Sequence, residues 1–296
     1  MAGVLPTYVY NHPAYRPRAA TGQSISYTLA QAATIHALIH FQLEDERAIN
    51  GYRAPFGGIE CEGPVGLAEM RTFLAQAVAD LQKRGIRHVQ ITLPPDLYQP
   101  EKNALLAEAL RHEGFGVSAR DVSSVLSIDG RPYSERLHPR KRRKLRAVDR
   151  HDLLFRPWPA HDLEEAFTFI QQQRQKKNYR LSVTLAHLQK SVEQLPAHYR
   201  AFGVWTPREL VAASIAVRAS GHVLYHFLSD HDRATAHGSA ALVLMEGLYQ
   251  FCQQHRYTLL DLGTSMQGSQ ADEALVRFKT ELGAVTCDRL TFAREI

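Results

Sequence analysis

The stretch RFKTELGA, residues 277–284, decides how the rest of the chain is read. It sets a lysine one turn into a short amphipathic segment, behind an aromatic residue and ahead of Gly283. On a helix that begins near Asp272, Lys279 lies four residues after Leu275 and three before Leu282, so it shares their apolar face. Two readings stay open. Lys279 is a surface lysine with its stem laid over apolar neighbours, or it is a cation kept for something anionic. Arg277 falls on another face, as a phosphate or carboxylate clamp or as a solvated charge. Phe278 is expected in the core.

Upstream of this stretch, Tyr257–Leu262 reads as a strand that ends in Gly263-Thr264-Ser265. After Gly238 an apolar helix is expected to run to about His255. His198–Trp205, Glu209–Arg218 and His222–Ser229 predict an antiparallel meander, and Val285–Phe292 a last strand. Leu153–Trp158 predicts a strand, and Leu163–Lys176 and Leu185–Glu193 predict helices.

The first half repeats the order. Ser24–Gln31 and Thr34–Gln42 predict strands, followed by the turn-rich loop Arg53-Ala-Pro-Phe-Gly-Gly-Ile-Glu60. Gly66–Arg84 reads as a helix, because Leu67, Met70, Leu74, Val78 and Leu81 recur at three and four. His88–Leu93, Glu101–Glu113 and Gly116–Ile128 follow as strand, helix and strand. This looks like one unit used twice: residues 1–133, a basic connecting helix over 134–150, and residues 151–296. The fold class expected is α/β (α+β), with a mixed, mostly antiparallel sheet flanked by helices in each domain.

The totals agree with two domains: 296 residues is natural for two of about 150. Hydrophobic content of 45% and charged content of 22% are those of a globular protein. No apolar run approaches a membrane span. The first residues show no basic start followed by an apolar run, so no secretory leader is expected. Three distant cysteines suggest a reducing compartment, and the expectation is cytoplasmic. The net charge of +5 is concentrated in RLHPRKRRKLRAVDR, residues 136–150, which favours phosphate-bearing partners.

The segments YTLLDLGTS (257–265) and LVRFKTELGA (275–284), with the basic HPRKRRKLRA (138–147), resemble the FemABX-like branch of the GNAT acyltransferase superfamily, which carries duplicated GNAT domains. The resemblance covers most of the chain. It implies transfer of an acyl or aminoacyl group to an amine, from acyl-CoA as cosubstrate or from aminoacyl-tRNA onto a peptidoglycan precursor. It places the acceptor at the first domain and the donor at the second, and gives Lys279 the stabilisation of transition-state charge. The GNAT pyrophosphate loop is matched by Thr235-Ala-His-Gly238-Ser-Ala240, where threonine stands in place of the family's basic or amide residue. No heptad run matches the helical arm of the staphylococcal-type transferases.

Acyl transfer passes through an oxyanion, best met by a preorganised cation or N–H donor, and Lys279 suits that role. Asp261, at a strand end, is a proton acceptor or a carboxylate tying down the 263–265 turn. Tyr225 and His226 are the alternatives, on opposite faces of one strand. His237, Gly238, Ser239 and Ala240 at a helix start, with Gly263, Thr264, Ser265 and Arg277, form the candidate donor and phosphate site. Ser239 is equally a plain N-cap. Arg53, Phe56, Gly57 and Gly58 form the acceptor loop or a structural turn, the two glycines permitting positive φ and close backbone approach. Arg142, Arg143 and Arg146 face the acceptor's phosphate, tRNA or an anionic membrane surface, or simply solvent. No metal spacing, Walker loop or nucleophile elbow is present. That suits direct attack by an amine. The reading of another class is a non-catalytic protein that keeps the fold and binds RNA or anionic lipid.

Overall fold

The computed structural model describes residues 7–15, 23–31, 34–63, 65–148, 152–158, 163–232 and 239–296. In chain order the first elements are β1 (Ser24–Gln31), β2 (Thr34–Glu44), β3 (Arg47–Asn50), β4 (Ile59–Cys61), α1 (Leu67–Lys83), β5 (His88–Thr92), α2 (Pro100–His112) and β6 (Gly116–Ser127). Then come α3 (Tyr133–Arg136), α4 (Pro139–Arg146), β7 (Leu154–Trp158), α5 (Leu163–Gln175), α6 (Leu185–Gln194), β8 (Tyr199–Trp205), β9 (Leu210–Arg218) and β10 (Val223–His231). Last are α7 (Ala240–Gln254), β11 (Leu259–Thr264), β12 (Met266–Gln267), β13 (Gln270–Ala271), α8 (Glu273–Glu281) and β14 (Val285–Glu295).

By contacts the chain forms two units. The first is Met1–Ser123 with Met266–Ala271 and Cys287–Ile296; the second is Ser124–Ser265 with Asp272–Thr286. The basic segment groups with the second unit, and the last strand groups mostly with the first.

In the first unit β1, β2 and β3 run antiparallel. β3 then pairs parallel with β5, α1 being the crossover between them, and β5 pairs antiparallel with β14. Met70, Phe73, Leu74 and Leu81 of α1 are buried against Ile39, Phe41, Val89, Ile91 and Phe292. The second unit repeats the scheme. β7, β8, β9 and β10 form the antiparallel meander, and β10 pairs parallel with β11 through the crossover α7. Tyr249, Leu248 and Cys252 of α7 share a core with Phe202, Ala216, Leu224 and Leu260. Gly283 ends α8 at φ 91°, and a Cβ there would stand 2.7 Å from the Arg136 carbonyl, so both backbone shape and space require glycine.

Two expectations fail. Phe278 is 39% exposed, not in the core; it follows Arg277 on the outer face, and Lys279 takes the inward direction 100° away. Gly57 does not use positive φ: only Gly58 does, at 76°. Gly57 is instead needed for space, since a Cβ there would lie 2.5 Å from the Asn50 amide.

Candidate active site

The parallel pair β10–β11 stays in register only through Val223–Leu259, Leu224–Leu260 and Tyr225–Asp261. β10 continues to His231 and β11 to Thr264, so the two strands part beyond Tyr225 and Asp261 and leave a wedge. On its other side β10 shifts register against β9 between His226 and Leu228. Such a bulge re-aims side chains at the rim of a site.

Four predicted residues meet at the β11 side of this wedge. Lys279 is 7% exposed, and its Nζ donates to the carbonyls of Gly263 and Thr264, both at 2.9 Å. Asp261 is 3% exposed and accepts the Gly263 N–H at 2.6 Å. Gly263 sits at φ 75°, and a Cβ there would lie 3.4 Å from the Tyr225 ring. The turn is therefore held from both ends of its backbone: the carboxylate takes an N–H and the ammonium takes two carbonyls. α8 brings the lysine there because Asp272 caps the helix, accepting the Leu275 N–H at 3.0 Å. Burial pulls the Lys279 amine down from 10.5 to about 8, against the opposing pull of Asp261 and Asp272.

Two polar atoms in this region have no hydrogen-bond partner among the described residues: Ser265 Oγ and His226 Nε2. His226 is half-buried as a residue, but its Nε2 is shut off from solvent. Burial, then the nearby charges of Lys279 and Arg174, push its imidazole down to about 4, so it is neutral at neutral pH. Buried polar atoms are normally satisfied. Two such atoms lie in the same region as one buried lysine.

The other predicted residues separate. His237 and Gly238 lie outside the described residues, as do Thr235 and Arg150. Ser239 precedes α7, but its side chain makes no capping bond, and Ala240 is the first, buried helical residue. Arg277 is exposed. In the first unit Phe56 is 1% exposed among Tyr8, Tyr10 and Tyr98, with ring centroids 4.9–5.5 Å away. Gly57 and Gly58 both donate to the Thr92 carbonyl. Of that loop's candidates only Arg53 is exposed, at φ 53° with its guanidinium over Tyr52. On α4, Arg143 and Arg146 are exposed, whereas Arg142 turns back to the carbonyls of Ser134, Glu135 and Leu137.

The sequence reading missed a buried charge cluster on β10. Asp230 is 9% exposed and pairs with Lys177 and with Arg174, the latter at 3.2 Å. Its signal is faint: one acidic residue near the end of a strand that also carries Ser229 and His231.

No family model matches the sequence, and no curated protein sequence matches it. Solved structures do match in fold. The crystal structure of FemX aligns over 93% of this chain and 88% of its own, with a TM-score of 0.71 at 10% identity. The C-terminal domain of a putative lysylphosphatidylglycerol synthetase from Agrobacterium fabrum aligns over 88% and 82%, at 0.58 and 12% identity. A tandem GNAT protein from the clavulanic acid pathway aligns over 92% and 83%, at 0.51 and 13% identity. With the parallel pair and crossover helix occurring once in each unit, the chain has the FemABX-like fold of tandem GNAT domains.

Proposed function

We propose that the chain is an N-acyltransferase whose acyl donor enters the wedge between β10 and β11. The observation that carries this is the parting of the strands beyond Tyr225–Asp261, with a buried lysine and two polar atoms that have no partner among the described residues beside it. An amine nitrogen attacks the donor's carbonyl carbon. A C–N bond forms, the bond from that carbon to the carrier breaks, and the carrier leaves with the electron pair. The developing oxyanion needs a fixed positive group in a dry site. Lys279 spends two of an ammonium's three donors on the turn and keeps one. Asp261, Tyr225 and His226 are the groups from which the proton acceptor is drawn.

The donor in this reading is acyl-CoA. α7 starts at Ser239–Ala240 without a side-chain cap, and a first helical turn left uncapped is suited to a pyrophosphate. The reading closest to it is an aminoacyl ester of tRNA as donor, favoured by the greater likeness of fold to FemX and by the exposed cations of α4. By its name, the putative lysylphosphatidylglycerol synthetase joins a lysyl group to a lipid, which is the same class of transfer. The acceptor in either case is an amine.

A thermal-shift titration with CoA, acetyl-CoA and longer acyl-CoAs, with ATP as control, tests the donor. A ligand of the native state at 100 times its Kd adds about 2.7 kcal/mol. A shift selective for CoA thioesters is expected. No shift with any thioester removes the CoA assignment and moves the test to aminoacyl-tRNA. No turnover with either donor leaves the binding-protein reading in its place.

A further inference from the structure

The basic segment is not uniformly basic toward solvent. Residues 139–146 hold six lysines and arginines among eight positions, wound as α4 around one buried residue, Leu145. The two cations that flank Leu145 on the wheel are used inside the protein. Arg142 donates to three backbone carbonyls, and Lys141 pairs with Glu281 at 3.4 Å. The other four, Arg140, Arg143, Lys144 and Arg146, point outward, are exposed, and have no ion-pair partner among the described residues. At 100° per residue they cover less than half the wheel. Arg140 meets Arg143 and Lys144 at spacings of three and four, where like charges repel. Within the described residues nothing offsets that repulsion.

An apolar feature adjoins this face. Among the described residues the large exposed apolar side chains are five, and two of them, Phe278 and Val285, lie on one short stretch. That stretch is bonded to α4 and its lead-in: His138 N donates to the Glu281 carbonyl at 3.0 Å, and Lys141 Nζ stands 4.9 Å from the Phe278 ring centroid. Phe278 thus offers an exposed ring at the edge of a cationic face. Exposed cations beside an exposed aromatic are the elements of an interfacial membrane contact: the charges attract anionic headgroups and the ring enters the headgroup boundary.

We infer that the outward face of α4, with Phe278, docks on an anionic phospholipid surface. The inference does not rest on the proposed reaction. It gives the four outward cations a partner of opposite charge and Phe278 a medium less polar than water. Single-stranded or transfer RNA is the competing polyanion, and Phe278 distinguishes the two. A bilayer contact needs the apolar ring at any salt, whereas phosphate contacts alone fade as salt rises.

The test is flotation of the full chain with phosphatidylcholine vesicles containing phosphatidylglycerol, against vesicles of phosphatidylcholine alone. Binding to the anionic vesicles only is expected. Each basic residue near such a surface is worth roughly fivefold in partition, so Arg143→Gln with Lys144→Gln should lower binding by roughly 25-fold. Phe278→Ser should lower it severalfold, and more visibly at high salt. Arg208→Gln, at an exposed arginine on the β8–β9 turn, should leave it unchanged. All the sites are exposed, and an unchanged Tm for each variant confirms that folding is intact. Equal flotation with both vesicles, none with either, or a Phe278→Ser variant that binds as well as the parent overturns the proposal. A bulk-tRNA gel shift lost in the double variant, without vesicle binding, assigns the face to RNA instead.

Discussion

The two units build the same parallel pair and treat its end differently. In the second unit β10 and β11 part after Tyr225–Asp261 and the wedge stays open. In the first unit β3 and β5 pair to the last residue of β3, Asn50 opposite Ile91. Just beyond, Gly57 and Gly58 both donate to the Thr92 carbonyl, at 3.1 and 2.9 Å. Asn50 completes the closure: its amide donates to the carbonyls of His40 and Gly58 and its oxygen accepts the Gly58 N–H. The Gly58 conformation at φ 76° and the missing Cβ of Gly57 make that close approach possible. The loop expected to meet an acceptor thus spends its backbone on plugging its own wedge. One copy of the unit is sealed by satisfied hydrogen bonds; the other keeps a buried lysine on the turn and, among the described residues, a histidine nitrogen and a serine hydroxyl without a partner. Under the proposed reaction, that difference favours the second unit as the place for the chemistry.

The largest effect to expect is on turnover. Lys279→Ala should reduce kcat by about 100-fold or more, near 3 kcal/mol of barrier, in a steady-state assay with the donor found by thermal shift. The variant also loses two hydrogen bonds to the 263–264 turn, so kcat is to be compared at temperatures where both proteins are folded. Unchanged kcat would leave Lys279 a structural clasp and remove the contrast between the units.

The same lysine gives a signature in stability. Its amine has a pKa of about 8 in the folded chain against 10.5 for the free group. Between those values the unfolded chain holds more protons than the folded one, so stability rises with pH across that window. The gain is about 3 kcal/mol, relative to a Lys279→Met variant in which this group cannot titrate. Urea unfolding at pH 8 and at pH 10.5 measures it. His226 behaves in the same direction lower down. Its imidazole is held near 4, so stability falls as pH drops from 6.5 toward 4.

Much of this was legible in the sequence. The helices at 67–83 and 240–254 and the strand meander follow from apolar spacing. Lys279 and Phe278 are neighbours on one helix and cannot both face the core, and the motif, not hydrophobicity, decides which does. β3 escaped notice because its four residues carry one fully buried apolar side chain, Ala48, and no alternation to mark it. The closed wedge was illegible for a related reason: Asn50, Gly57 and Thr92 act through backbone and amide bonds that leave no periodic trace. The Asp230–Lys177–Arg174 cluster joins residues 53 positions apart, which no local pattern reports.

Asn50→Ala sharpens the comparison at a smaller scale. It removes three buried hydrogen bonds, leaves the carbonyls of His40 and Gly58 without the amide that met them, and should cost about 2 kcal/mol. The loss reads as a lower urea midpoint at an unchanged m value. Turnover by the folded fraction should hold, because the plug lies in the unit without the lysine. A fall in turnover at constant folding would mean that the sealed copy also serves the reaction.

The smallest change makes the cleanest test of what an open wedge is. Ser265 is wholly buried, yet its hydroxyl has no partner among the described residues. The Thr92 hydroxyl in the first unit is buried too, and stands 3.2 Å from that of Thr291. Removing a satisfied hydroxyl leaves its partner unpaired and costs about 1 kcal/mol, whereas removing an unsatisfied one costs almost nothing. Thr92→Val should therefore lower stability, while Ser265→Ala should leave it within about 0.5 kcal/mol of the parent or raise it slightly. If the Ser265 hydroxyl awaits the donor, its loss appears only once ligand is present, as roughly fivefold weaker donor affinity in the thermal-shift titration. A Ser265→Ala variant that unfolds as readily as Thr92→Val, or that binds the donor as tightly as the parent, would show the hydroxyl to be part of the packing. The second wedge would then be as closed as the first.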